Sequence, residues 1–311
     1  MKSLVRTGAA ALALSVAFFA PPGARAGDRS WWLDVEAGAE YDDNVAVDSS
    51  DANSGKGDVA ATFELDAGYK LVNTDNSRVE IGYDFYQSLY QDVSAFDYQS
   101  HNPTFNAWTK FDGIKLGFNY SYLYSLLDNS FFLEEHVFAP SVSAYLSDNF
   151  YVTATYRYYM KDYDAADNAR DAQTHQPGAD IYYYFDKPNK GFVSVGGGYT
   201  NEDTEGLAFD YSGFVGRTSV QFPVALFDHK GRVKFSYTYQ KRDYDNDESL
   251  LPVGDHKTRS DDRHTLRAYG DMNLTDSLEA VAEFRFINRN SNLLPADYNE
   301  NIASLGLRYG F

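Results

Sequence analysis

The 311 residues include no cysteine. The fold is therefore neither stapled by disulfides nor anchored as a lipoprotein, which needs a cysteine at its mature N-terminus. Cations are scarce, with 27 Lys and Arg against 45 Asp and Glu for a net charge of −18. The first 26 residues hold three of those cations and no acid, so the remainder carries −21. Phosphate binding needs clustered cations, and this balance argues against nucleic acid as a partner. Beyond residue 26 no apolar run approaches the roughly 20 residues of a membrane-spanning helix. No amphipathic helix of any length is readable either. Yet aromatics make up 16% of the chain, mostly 26 Tyr and 22 Phe, while the mean hydropathy is negative. A transmembrane β-barrel reconciles these facts, because only alternate residues face lipid and a running average hides them. A soluble, secreted β-sandwich or β-solenoid is the competing architecture.

What is present begins with a leader. Lys2 and Arg6 precede a short apolar core over residues 8–20, Pro21-Pro22 ends it, and Ala24-Arg25-Ala26 is a small-x-small cleavage site. Cleavage is expected after Ala26, leaving residues 27–311 as one domain.

Those residues alternate with a period of two. The last segment, 298–311 (YNENIASLGLRYGF), sets Ala303, Leu305, Leu307, Tyr309 and Phe311 against Ser304, Gly306, Arg308 and Gly310. These are the two faces of a strand. A strand ending on an aromatic resembles the closing strand of bacterial outer-membrane barrels. Thirteen earlier segments share the pattern. The first, from Trp32 to about Asn44, opposes Leu33, Val35, Ala37, Ala39 and Tyr41 to Asp34, Glu36 and Glu40. The eleventh opposes Val233, Phe235, Tyr237 and Tyr239 to Arg232, Lys234, Ser236 and Thr238. The sixth, about residues 136–146, is interrupted by Pro140. Asp112-Gly113 signals a two-residue hairpin. The expected fold is all-β, a single closed antiparallel transmembrane barrel of about 14 strands of the outer-membrane type.

Link lengths agree with this. Links after even strands are short, and several after odd strands are long and polar, notably 46–57, 161–174, 201–207, 243–260 and 289–296. Short periplasmic turns and longer external loops are the expected asymmetry. Aromatics also collect at strand ends. Tyr69, Phe111, Phe150, Phe185, Phe222, Tyr309 and Phe311 form a lower row, and Tyr41, Phe85, Tyr124, Tyr158, Tyr199, Tyr239 and Phe286 an upper one. Two such rows match interfacial girdles.

The opposite faces then line a lumen. Early strands supply Asp34, Glu36, Glu40, Glu64, Asp66, Glu80 and Asp84. Late strands supply Arg217, Arg232, Lys234, Arg263, Arg267, Arg285, Arg289 and Arg308, diluted by Asp271 and Glu283. Closure brings an acidic wall beside a basic one. Two readings stay open, a transverse field across a watery pore and a salt-bridged plug. Acidic clusters also mark the loops: Asp162, Asp164, Asp167 and Asp171; Asp243, Asp245, Asp247 and Glu248; and Asp42-Asp43-Asn44. Such oxygens can hold Ca²⁺, but their spacing is not that of an EF-hand. The solvating role is favoured, and no cofactor is expected. The six histidines are scattered without paired metal-ligand spacing. No serine lies in a recognisable nucleophile motif, so the expected protein is not an enzyme.

Three stretches carry a family resemblance: residues 37–45 (AGAEYDDNV), 259–262 (RSDD) and 289–311 (RNSNLLPADYNENIASLGLRYGF). Together they resemble the C-terminal barrel domain of surface lipoprotein assembly modifiers. The resemblance implies a conduit that helps move lipoproteins to the outer face of the outer membrane, with a lipoprotein or other secreted client as partner. That family carries a helical-repeat domain before its barrel, whereas residues 27–31 alone precede the first strand here. No site residue is transferred. A passive or sugar-selective porin, and an adhesive surface barrel acting through its acidic loops, are the alternatives.

Overall fold

The structure is a computed structural model that describes residues 29–186, 191–226, 229–246 and 258–311. The expected leader lies outside the described residues. Fourteen strands close into one antiparallel barrel. In chain order they are β1 (Trp31–Asp42), β4 (Asp58–Asn73), β5 (Ser77–Tyr90), β6 (Tyr98–Phe111), β7 (Ile114–Leu127), β8 (Ser130–Tyr145), β9 (Phe150–Tyr163), β10 (Ala172–Asp186), β11 (Gly191–Thr204), β12 (Tyr211–Leu226), β13 (His229–Tyr244), β14 (Ser260–Asn273), β15 (Leu278–Ser291) and β16 (Tyr298–Gly310). A miniature hairpin, β2 (Ala46–Val47) with β3 (Ala52–Asn53), lies in the first long loop.

Closure is made by β1 with β16, in a register that sets Ala37 opposite Leu307 and Glu36 opposite Arg308. Pairing like with like across the seam keeps one face apolar and the other polar all the way round. The outer face exposes Phe63, Ile81, Leu116, Val195, Phe235, Phe284 and Leu305. In water so large a contiguous apolar surface would be prohibitive. The closed ladder and the apolar belt are those of a barrel seated in a bacterial outer membrane.

Turn chemistry explains the tight ends. Asp112 and Gly113 both take positive φ, 48° and 81°, the twist that suits a two-residue hairpin. The same turn recurs at Asp128 and Asn129, φ 48° and 59°, between β7 and β8. The eighth element therefore begins at Ser130 rather than near His136, and the strand ends at Tyr145. Pro140 stays inside it: β8 pairs with β7 at Pro140, but its ladder to β9 passes from Phe138 to Ser141. A residue without an N–H can serve only one neighbour there. Residues 187–190 and 227–228, and residues 247–257 of the acidic stretch 243–260, lie outside the described residues.

Candidate functional site: the lumen and its latched loop

The sequence suggests an external polar loop after the first strand. In the structure it turns inward. Val45 N–H donates to the Lys56 carbonyl (3.0 Å) and Ser54 N–H to the Val45 carbonyl (2.8 Å), which folds residues 45–56 into a compact unit. Val47 is fully buried among Tyr98, Leu123, Leu127, Phe132, Leu133 and Tyr163, side chains of β6 to β9. Asp51, at φ 56°, reaches the other side of the barrel. There Arg259 donates to both of its oxygens at 2.8 and 2.6 Å, and Arg289 of β15 donates at 2.7 Å. Arg170 adds a third guanidinium at 2.9 Å and also donates to the carbonyls of Ser49 and Ser50 at 3.0 and 3.3 Å. Asp261 is the second carboxylate, bound by Arg259 at 2.7 Å and Arg289 at 2.6 Å and capped by the Ser291 hydroxyl at 2.6 Å.

These groups are sealed: Arg289 is 1% exposed and Asp261 2%. Burial works against the Asp51 charge, yet the hydrogen bond and charge of Arg259, with Arg170 and Arg289 behind it, hold its carboxyl well below the usual range. The Asp51 carboxylate in turn holds the Arg259 guanidinium in its charged form despite burial.

Strand order gives this contact its meaning. β8 stands seven places from β15 in the ring of fourteen, so the two are diametrically opposed. A barrel of this size is on the order of 28 Å across between Cα positions. Rings from one wall and guanidinium groups from the other meet the short segment between Val47 and Asp51. It crosses the lumen at the long-loop end. Further ties hold it: Asn53 Nδ2 donates to the Pro295 carbonyl (2.7 Å), Asn44 Nδ2 to the Asn299 carbonyl (3.0 Å), and Asn301 N–H to Asp43 (2.7 Å).

Below the loop, most late-strand cations find acids on neighbouring strands. Arg217 makes a bidentate pair with Asp180 at 2.7 and 2.8 Å, passing over Gly196, whose lack of a side chain leaves the room. Arg232 pairs with Asp271 (2.7 Å). Arg267 and Arg285 share Glu283. Arg308 bridges Glu36 across the seam (2.7 Å) and Glu279 on its own hairpin (3.4 Å). Arg263 is buried beside this row, and Lys234 lies over the Phe192 ring at 5.9 Å. The acidic side is less compensated. Asp66 accepts from Trp32 Nε1 (2.7 Å) and Asp84 from Asn102 Nδ2 (3.1 Å), while Glu40, Glu64 and Glu80 form no ion pair among the described residues. Asp34 faces Asp66 in register.

Two features escape the sequence reading. The first is a set of inward aromatics near the short-turn end: Trp32, Trp108, Tyr151, Tyr182, Tyr184 and Phe192. Tyr182 and Tyr184 stack at 6.2 Å, and Phe192 lies 5.7 Å from Tyr182. The second concerns the scattered histidines. His101, His136, His175 and His264 each hydrogen-bond through Nδ1 to a tyrosine hydroxyl of the preceding strand, at 2.6, 2.9, 2.5 and 2.8 Å. They belong to the upper outer belt, where His101 packs on Phe85 (5.2 Å) and His264 on Tyr239 (5.0 Å).

No family model and no curated protein sequence matches the chain. Among solved structures, a bacterial polysaccharide outer membrane secretin is 12% identical, with 90% of this chain and 98% of that one covered and a TM-score of 0.48. An anion-selective porin from Comamonas acidovorans is 9% identical, with 90% and 98% covered and a TM-score of 0.49. The outer-membrane expressed OmpT of Vibrio cholerae is 10% identical, with 92% and 99% covered and a TM-score of 0.49. These are likenesses of barrel to barrel.

Proposed function

We propose that this chain is an outer-membrane channel for small polar solutes, narrowed at its long-loop mouth by the inward segment of residues 43–57. The observation that carries the reading is the latch: one short segment gripped by apolar side chains of β6 to β9 and by a buried Arg–Asp cluster at β14 and β15. A polar, charge-lined lumen suits the passage of polar solutes, and a segment held across its mouth by a few bonds is placed to limit that passage. Single-channel recording of the purified protein in planar bilayers tests this. Stable open steps that grow when the latch is cut support the channel; silence in both proteins contradicts it.

A second reading is a translocation conduit in the manner of surface lipoprotein assembly modifiers. One observation favours it: the three stretches that carry the resemblance meet in space. Arg259 and Asp261 join Arg289 in the latch, and Asp43 of the first stretch accepts hydrogen bonds from Asn301 of the third. Surface labelling of a candidate client lipoprotein, with and without this chain, separates the readings. Display that depends on the chain supports the conduit.

A further inference from the structure

The β6–β7 hairpin alternates about its Asp112-Gly113 turn, which sets Trp108, Lys110 and Lys115 on the inward face. Arg78 of β5 stands opposite Trp108 in register. Three cations thus converge on one indole: Lys115 Nζ at 4.7 Å, Lys110 Nζ at 5.2 Å and Arg78 Cζ at 5.8 Å from the ring centroid. Cation–π attraction draws each to the ring, but the three repel one another. The late-strand arginines solve that problem with neighbouring acids. Here none of the three forms an ion pair among the described residues. Glu80, the next inward acid along β5, offsets part of the Lys115 charge from a distance but closes no ion pair with any of the three. Arg78 Nε is shut away from solvent without a hydrogen-bond partner. Such a cluster favours a further anion, which could accept charge-assisted hydrogen bonds from all three.

The neighbouring wall gives that anion a shape. Beside Trp108, Gly117 has no side chain and the Ser141 hydroxyl takes the space instead, 2.5 Å from where a Cβ would stand. Ser143 faces Lys115 in register and accepts the Tyr151 hydroxyl at 2.7 Å. From Tyr151 the aromatic surface continues to Tyr182 at 6.1 Å, then to Tyr184 and Phe192, and it ends under Lys234. The track therefore offers ring faces, hydroxyls between them and a cation at each end. Flat faces take the apolar side of a pyranose, hydroxyls take its polar edge, and cations take carboxylates.

We infer that this wall binds an acidic oligosaccharide, a chain of uronic-acid units with one carboxylate held by Arg78, Lys110 and Lys115 over Trp108. The inference rests on the channel reading and supplies its substrate class. A chain of rings suits it better than a single flat acid, because aromatic faces and hydroxyls continue from the cation cluster to Tyr151 and Tyr182.

Isothermal titration of the full chain in detergent micelles, with trigalacturonate as probe, tests it without transport. Trigalacturonate is expected to bind the wild type and to bind K110Q/K115Q and Trp108→Leu roughly tenfold more weakly or worse. Heat-modifiable gel mobility shows whether each variant is folded, and Trp108→Phe replaces the leucine variant if that one is not. The inference fails if folded wild type does not bind trigalacturonate, if maltotriose binds equally, if benzoate or inorganic phosphate binds as tightly, or if the variants change nothing. A barrel that conducts but does not bind overturns this inference alone. One that binds but never conducts overturns the channel reading alone.

Discussion

Asp51 and Arg289 stand 238 positions apart in the chain and meet at 2.7 Å in the mouth of the barrel. Three guanidinium groups and two carboxylates share that point, each carboxylate oxygen accepting more than one bond or capped by a hydroxyl. Burying such charges is expensive, and the arrangement holds because both carboxylates are fully partnered. Removing one member leaves the others unpaired, which is how a few bonds hold a loop across the lumen.

Loss of Val47 should release the opposite end. Val47→Asp places an unpaired carboxylate among Tyr98, Leu123, Leu127 and Phe132, at a cost of several kcal/mol. The segment should leave the wall while the barrel persists. Tryptic cleavage after Lys56, followed by mass spectrometry, should become at least tenfold faster than in the wild type.

The latch should be indifferent to mild acid. Burial alone would raise the Asp51 carboxyl, but Arg259, Arg170 and Arg289 outweigh it and lower its titration. A lowered folded value means that the contribution is complete above the free value of about 4 and is lost only as pH falls through the lowered one. Channel conductance should therefore show no latch opening between pH 8 and pH 4. A transition near pH 6 would mean that Asp51 does not hold the loop.

Gly196 makes the Asp180–Arg217 bridge possible. A Cβ there would stand 1.8 Å from Asp180 Oδ1. Gly196→Ala should break the bidentate pair and cost about 1–3 kcal/mol, read as a lower urea midpoint for barrel unfolding in lipid vesicles.

Much of the barrel was legible because alternation is local. Val233 and Phe235 against Arg232 and Lys234 declare two faces within four residues, and Asp112-Gly113 declares its turn. The β7–β8 turn was not, since Asp128-Asn129 achieves the same backbone with residues that also populate open loops. Residues 130–135 (SFFLEE) blur the alternation beside it, because Phe132 and Leu133 both pack on the Val47 cluster. The inward aromatics escape the sequence for another reason: alternation puts Tyr151, Tyr182, Tyr184 and Phe192 opposite the apolar face, but nothing local shows that their rings meet across strands. The latch was out of reach altogether. Its partners lie 119 to 238 positions apart, and nothing local distinguishes Asp51 from the other acids of a polar loop.

The most direct measurement is single-channel conductance of Asp51→Ala beside the wild type, with heat-modifiable mobility confirming that both barrels are folded. The latched-mouth account predicts small or brief openings in the wild type and stable, larger steps in the variant. Equal conductance in the two folded proteins would contradict it.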